Sequence, residues 1–313
     1  MNAIGKVLVT GSSGTIGTAL CECLLKEGYD IVGVDVTRNK WNRRVDEITM
    51  ISDLRQTSFV DQLPKNFYLI VHLAANARVY ELVKEPKLAR DNFEVVVNIL
   101  EFARLNNINT MFASSREVYG NTRDEPRRDD TVYVESCESP YAASKIGAEA
   151  FVHSYHRCYG IDSVILRFSN VYGKYDASDR VIPTFIRAAR KDEEIVVFGE
   201  EKLLDFTYID DCVNGMMKCI ERFENIKNNA FNIASGEGTR LSRVAELIID
   251  QMGSKSKVSA QESRTGEIAR FVADISKARK FLDYSPRVPI EEGIEKAIEW
   301  YDWLEREGCV SGL

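Results

Sequence analysis

Val7-Leu8-Val9-Thr10-Gly11-Ser12-Ser13-Gly14-Thr15-Ile16-Gly17 decides the fold. Three apolar residues read as a buried strand, a glycine-punctuated turn follows at once, and Ile16, Ala19, Leu20, Cys23 and Leu24 recur at helical spacing. Glycine at 11, 14 and 17 lets the backbone turn tightly, approach a pyrophosphate and seat the helix on the sheet. The helix start, Thr15 and Ile16 foremost, offers free N–H groups and the positive end of the helix dipole. The next strand, Ile31-Val32-Gly33-Val34, ends in Asp35. A carboxylate there accepts hydrogen bonds from adenosine ribose hydroxyls and repels a 2′-phosphate, so the cofactor expected is NAD rather than NADP. Arg38, Lys40, Arg43 and Arg44 follow closely and are cations that could meet such a phosphate.

Outward from this turn, strand-like runs alternate with helical patterns. Val7–Val9, Ile31–Val34, Ile48–Ile51, Leu69–Leu73, Met111–Ala113 and Val164–Phe168 read as buried strands. Phe93, Val96, Val97, Leu100 and Ala103 mark one of the helical faces between them. Such alternation implies an α/β doubly wound, Rossmann-type parallel sheet, because parallel neighbours need a crossover. After Asn170 the rhythm changes to one short strand, Ile195–Val197, and helices at about Asp211–Arg222, Leu241–Met252 and from near Ile290. Phe231-Asn232-Ile233 looks like a further strand of the first sheet. The expected division is a cofactor domain at 1–172 with a return at about 205–236, and a smaller α/β substrate domain from 173–204 and 237–313. The polar stretch Asn121–Pro140 reads as a surface loop.

Composition narrows the class. Against 41 Lys and Arg stand 48 Asp and Glu, a formal net charge of −7, and no basic stripe is interleaved with aromatics, so nucleic acid is not an expected partner. No apolar run approaches the roughly 18–20 residues a membrane helix needs. Met1-Asn2-Ala3-Ile4-Gly5-Lys6 leads into a strand rather than a signal-peptide core, and the location expected is cytoplasmic. The cysteines Cys21, Cys23, Cys137, Cys158, Cys212, Cys219 and Cys309 form no CxxC pair, and His153 and His156 lack further ligands, so no metal site is expected. Cys21, Cys23, Trp300 and Trp303 read as packing residues.

Tyr141-Ala142-Ala143-Ser144-Lys145 sets a tyrosine and a lysine at i and i+4 on one helical face. The ammonium, with bound cofactor, would stabilise tyrosinate and make the phenol a general base near neutral pH. Upstream, Phe112-Ala113-Ser114-Ser115-Arg116-Glu117-Val118-Tyr119-Gly120 carries hydroxyls to a strand end, where open α/β sheets bind ligands. The ordered set of GxxGxxG, a Ser-bearing strand end and YxxxK resembles the extended short-chain dehydrogenase/reductase superfamily. The resemblance covers nearly the whole chain, and its later motifs match the NAD-dependent epimerase/dehydratase branch that acts on nucleotide sugars. It implies that Asp53 and Leu54 meet the adenine, that Leu73, Ala74 and Ala75 run under the cofactor, and that Asn92 lies near the nicotinamide. Ser114 and Phe168 join these cofactor contacts. In Arg167-Phe168-Ser169-Asn170-Val171-Tyr172-Gly173, the resemblance assigns Asn170 to the substrate diphosphate. Asp205–Asp211 and Arg264-Thr265-Gly266-Glu267 continue the pattern.

By the same resemblance Tyr141 removes the 4-hydroxyl proton of a sugar while hydride leaves C4 for NAD. Ser115 shares that hydrogen bond, and Lys145 holds the nicotinamide ribose. Residues after Ser115 rank the reactions. Related 4,6-dehydratases have an acid where Arg116 stands, and arginine stays protonated; related decarboxylases keep a glutamate like Glu117. The expectation is a 4-epimerase first, a decarboxylase second and a dehydratase third, with Glu117 either catalytic or a local structural carboxylate. Leu204 occupies a place where many relatives carry a phosphate-binding arginine, which leaves Arg264 and Asn170 for the diphosphate. Arg78, Arg116, Lys174 and Arg180 border the expected sugar site, and an arginine there could pair a C6 carboxylate bidentately. A UDP-hexose or UDP-hexuronate is the expected ligand, and a homodimer through the helices carrying Phe93–Ala103 and Tyr141–Tyr159 the expected assembly. The rival from another class is a non-catalytic NAD-binding protein on the same fold.

Overall fold

Val7, Leu8, Val9 and Thr10 are all fully buried, because the strand they form lies in the middle of a parallel sheet covered on both faces. The structure is a computed structural model that describes residues 5–121, 126–128 and 132–306, with the side chains of 59–61 outside the description. In chain order the strands are β1 (Val7–Thr10), β2 (Ile31–Asp35), β3 (Thr49–Ile51), β4 (Leu69–His72), β5 (Asn109–Ser115), β6 (Ser163–Phe168), β7 (Asn170–Tyr172), β8 (Ile195–Phe198), β9 (Leu203–Tyr208), β10 (Asn229–Ile233), β11 (Gly238–Arg240), β12 (Val258–Gln261) and β13 (Arg270–Phe271). The helices are α1 (Thr15–Lys26), α2 (Arg43–Glu47), α3 (Val79–Lys84), α4 (Lys87–Asn106), α5 (Pro140–Tyr159), α6 (Val181–Arg190), α7 (Ile209–Glu221), α8 (Phe223–Ile226), α9 (Leu241–Met252), α10 (Ser276–Leu282) and α11 (Ile290–Arg306).

The large sheet is parallel throughout, in the order β10-β6-β5-β4-β1-β2-β3. Strand order therefore reverses between β1 and β4, and such a reversal opens a crevice at the carboxyl ends of the strands. Register brings those ends level: Thr10 lies beside His72, His72 beside Phe112, and Ser115 beside Phe168. β5 runs two residues further at each end than its apolar core suggests. Its polar ends are stabilised from both sides, as where Thr110 Oγ1 and Ser163 Oγ lie 2.8 Å apart.

β9 is the centre of a second, smaller sheet, parallel to β7 and β13 and antiparallel to β11, while β8 pairs with β12. β10 returns to the large sheet beside β6, and α7 packs against α1. Within 121–140 the described residues hold a 3-10 turn at Val134–Ser136 and a ladder contact of Arg127 with Ala273. Residues 122–125 and 129–131 of that expected loop, Met1–Ile4 and Cys309 lie outside the described residues. Among the described residues no helix is long and apolar enough to cross a membrane.

Candidate active site

The cradle after β1 is bare backbone. Gly11 has φ +71°, and a Cβ there would sit 2.8 Å from the Ala74 nitrogen; one on Gly17 would sit 1.9 Å from the Gly11 carbonyl oxygen. Gly14 precedes α1 with no side-chain cap and no acid in the first turn, so the N–H groups at Thr15 and Ile16 remain open to an anion. Asp35 stands at the end of β2, its Oδ2 accepting from Ser13 N at 3.0 Å and its Oδ1 from Thr37 N at 3.0 Å. A carboxylate fixed beside a glycine cradle fits the ribose and pyrophosphate of NAD. Leu73 N donates to Thr10 O at 3.1 Å and Ala74 N to Thr10 Oγ1 at 3.3 Å, which holds the Leu73–Ala75 segment over the cradle's side. Thr10 Oγ1 also meets His72 Nδ1 at 2.7 Å, and burial pushes His72 down to about 3, so its ring is neutral.

Other expected cofactor contacts are engaged within the protein. Asp53 is gripped by Arg55 at 2.6 Å, which also reaches Asp91 at 2.9 Å; hydrogen bonding from Arg55 holds the Asp53 carboxyl below its usual range. Leu54 is buried beside it, and Asn98 Nδ2 donates to the Leu54 carbonyl at 2.8 Å. Asn92 accepts from Asn76 N at 2.6 Å and donates to Asn76 O at 3.0 Å, so its amide pins the loop after β4. Ser114 donates to Glu149 Oε1 at 2.5 Å, turning its hydroxyl to a buried partner while its neighbour Ser115 serves the crevice. Strand alternation separates the two hydroxyls. Phe168 is buried at the end of β6.

α5 starts where Ser139 accepts from Ala142 N at 3.1 Å and Pro140 takes the first helical position. Tyr141 is therefore in the first turn, at the mouth of the crevice, with Lys145 one turn deeper. Lys145 Nζ donates to the Ala113 carbonyl at 2.7 Å and lies 5.8 Å from the centre of the Tyr141 ring. Burial pushes Lys145 down to about 8, with Glu149 pulling the other way. Burial likewise pushes Tyr141 up to about 12; a hydrogen bond with the Ser115 side chain opposes this, and Glu117 adds to it. Without cofactor, desolvation thus outweighs the cations around the ring.

Glu117 is buried, with Oε1 held by Arg116 Nη2 at 3.0 Å and Oε2 without a partner among the described residues. Burial raises its carboxyl above the usual range, and Arg116 opposes the rise. Arg180 pairs loosely with Asp176 at 3.7 Å and its charge favours the Tyr141 phenolate, so it belongs to this neighbourhood. Arg78 pairs with Glu81 at 2.7 Å and with Asp179, next to Arg180, at 3.5 Å, and Lys174 pairs with Glu22 at 3.2 Å on α1. Arg264 stacks on Phe198 at 4.0 Å and Tyr80 at 4.9 Å. Asn170 Nδ2 donates to Asp205 O at 2.8 Å within the smaller sheet.

Sequence reading passed over three residues. Lys202, buried and paired with Glu267 at 2.6 Å, lies two positions before Leu204, the same-face spacing of a strand. Glu149 and Arg167 form a buried pair at 2.6 Å behind Lys145; the i+4 spacing of Glu149 from Lys145 was the available signal. His156 pairs with Asp162 at 3.2 Å, Cys21 is buried in α1, and Trp300 packs on Trp41 at 5.3 Å, all structural roles. No three His, Cys, Asp or Glu side chains among the described residues are placed to hold a metal.

The sequence model of the NAD dependent epimerase/dehydratase family matches residues 7–234. A putative UDP-glucose 4-epimerase of Methanocaldococcus jannaschii is 31% identical across 94% of this chain and 97% of its own length. A UDP-glucuronate 4-epimerase of Thermodesulfobacterium geofontis is 30% identical across 95% and 96%. Among solved structures, the UDP-glucuronic acid 4-epimerase of Bacillus cereus, in complex with UDP-glucuronic acid and NAD, superposes with a TM-score of 0.87 at 28% identity, covering 96% of this chain and 99% of that one.

Proposed function

The chain belongs to the NAD dependent epimerase/dehydratase family, and we propose that it is an NAD-dependent nucleotide-sugar 4-epimerase, taking a UDP-hexose or UDP-hexuronate through a transient 4-keto sugar. The observation that carries this reading is the meeting of Ser115, Tyr141 and Lys145 at the carboxyl edge of the sheet, beside the glycine cradle. Gly11, Gly14, Gly17 and Asp35 would hold the cofactor, and the open N–H groups of Thr15 and Ile16 would serve its pyrophosphate. Bound NAD supplies the hydride acceptor for sugar C4 and the donor that returns it. Tyr141 takes the proton of the 4-hydroxyl onto its phenolic oxygen and gives it back after the keto sugar has presented its other face. Ser115 hydrogen-bonds the same sugar oxygen, and Lys145 stabilises the charge that develops on Tyr141. Arg116, Asn170, Arg180 and Arg264 are the residues this reading assigns to the sugar nucleotide.

Incubation with UDP-glucose, UDP-glucuronate and their C4 epimers, followed by product separation, tests this directly. The expected result is interconversion of one pair with no net redox change. Release of carbon dioxide, or a stable 4-keto-6-deoxy sugar, would replace the epimerase reading. Decarboxylation is the second reading because of one observation: the buried Glu117 keeps an oxygen without a partner among the described residues, and its charge bears on Tyr141.

The cofactor domain is assigned to 1–172 with its return at about 205–236, and the sugar nucleotide to 173–204 and 237–313; the return of β10 beside β6 supports this. A homodimer through α4 and α5 is supported by Leu105 and Tyr159, which expose apolar surface on those helices, and mass in solution tests it. Cys21, Cys212 and Cys219, buried and free, suit a reducing cytoplasm.

A further inference from the structure

Three consecutive residues at the end of β5 engage three residues of α5 spaced one turn apart. The Ser115 side chain meets the Tyr141 phenol, the Ala113 carbonyl accepts from Lys145 at 2.7 Å, and Ser114 Oγ donates to Glu149 at 2.5 Å. Tyr141, Lys145 and Glu149 share a helical face, yet the third takes no part in the chemistry above. Glu149 is buried and saturated: Arg167 Nε reaches Oε1 at 2.9 Å and Nη2 reaches Oε2 at 2.6 Å. Arg167 also donates to the Tyr119 hydroxyl at 3.1 Å, and Tyr119 donates to Asn232 Oδ1 at 2.6 Å. The chain of contacts thus joins β5, β6, β10 and the 3-10 turn after Ser115 to α5.

We propose that Glu149 is a positioning residue for the reaction: locked by Arg167 and Ser114, it holds Lys145 in register with Ala113 and keeps its ammonium charged within the buried site. The proposal rests on Tyr141 and Lys145 being the reacting pair. A buried ion pair contributes little net stability against an apolar replacement, which leaves register and charge as what this one supplies. The groups facing Lys145 are Tyr141 and Glu149 on its own helix, the neutral His72 from β4, and the Phe112 ring, at 5.0 Å, with the Ala113 carbonyl from β5. Of these Glu149 is the group that opposes the effect of burial.

The test is Glu149→Gln in the full chain, together with Glu149→Gln/Arg167→Met, which removes the guanidinium that the single change would leave buried and unpaired. Lys145 is titrated by side-chain NMR without cofactor, its signal assigned by Lys145→Met. In the folded single variant its titration moves to lower pH, leaving a roughly tenfold smaller charged fraction at pH 9; in the double variant the shift is smaller, because the guanidinium that opposes the Lys145 charge is gone as well. The alkaline limb of kcat moves down in step, KM stays within about twofold, and Glu149→Asp recovers part of both. An unchanged Lys145 titration in Glu149→Gln, or in the double variant if the single change does not fold, overturns the proposal, whatever happens to activity. Absence of turnover in the unaltered chain would instead remove the function reading, and the NMR titration would still decide the role of Glu149.

Discussion

Arg116 holds one oxygen of Glu117 at 3.0 Å and leaves the other without a partner among the described residues, and the charge of this carboxyl opposes ionisation of Tyr141. A half-partnered buried carboxyl is either a reacting group or a structural one, and the two differ in what neutralising it does. In the proposed mechanism Tyr141 and Ser115 carry the proton path of epimerisation without it. Glu117→Gln should therefore keep 4-epimerisation within about tenfold, while the Tyr141 phenol titrates at lower pH because a charge that opposes its ionisation is gone. A general base contributes about 10²–10⁴-fold, so a loss on that scale in kcat would give Glu117 a proton-transfer role and favour decarboxylation.

Gly17 and Gly14 separate packing from phosphate contact. A methyl on Gly17 would press within 1.9 Å of the Gly11 carbonyl oxygen, against 3.4 Å for one on Gly14. Gly17→Ala should cost roughly 1–3 kcal/mol of stability as an overpacked contact, and more than about tenfold in NAD affinity, since 1.4 kcal/mol is tenfold. Gly14→Ala should fold with near-normal stability. Urea unfolding and NAD titration of both variants check the contrast; equal unfolding midpoints would count against it.

The parts read well from sequence are those whose residues have little choice. Val7–Val9 is apolar because it is buried on both faces, and Gly11 is glycine because its backbone is left-handed with Ala74 against it. Leu203–Tyr208 escaped because Asp205 and Thr207 interrupt its apolar pattern. Asp205 is buried all the same, accepting from Ser235, Gly236 and Ala273 of two distant segments. Arg264 reads as a phosphate cation, but its stacking on Phe198 and Tyr80 was hidden, because the two rings come from separate elements. Ser114 and Ser115 look interchangeable in sequence, and only the path of α5 decides which meets Glu149 and which meets Tyr141.

Lys145 makes stability depend on pH in a defined direction. Its folded pKa of about 8 lies below the ordinary 10.5, so between those values the unfolded chain binds more proton and stability rises with pH. The penalty is full below pH 8 and is relieved as the buried amine deprotonates. Above about pH 10 Tyr141 acts oppositely, since it stays protonated in the fold after it would ionise in the unfolded chain. Lys145→Met should be more stable than the unaltered protein at pH 7.5, with the gap shrinking by up to about 3 kcal/mol by pH 10. Thermal unfolding across that range measures it; a gap independent of pH would mean that the folded lysine keeps its ordinary pKa.

Tyr141 itself decides the mechanism. Its phenol is pushed up to about 12 while the protein stands alone, so it begins as a neutral hydroxyl held by Ser115. A base is needed near neutral pH, and the lowering must come from positive charge arriving beside the ring, which Lys145, 5.8 Å from its centre, cannot supply alone. Phenolate absorbance should titrate near pH 12 without cofactor and at distinctly lower pH once NAD is bound. Tyr141→Phe should lose at least the roughly 10²–10⁴-fold attributable to a general base while binding NAD as before, because the cradle at Gly11 and Gly17 and the Asp35 carboxylate are untouched. Retained turnover in that variant would move the proton to another group, and Glu117, buried and electrostatically linked to Tyr141, would be tested first.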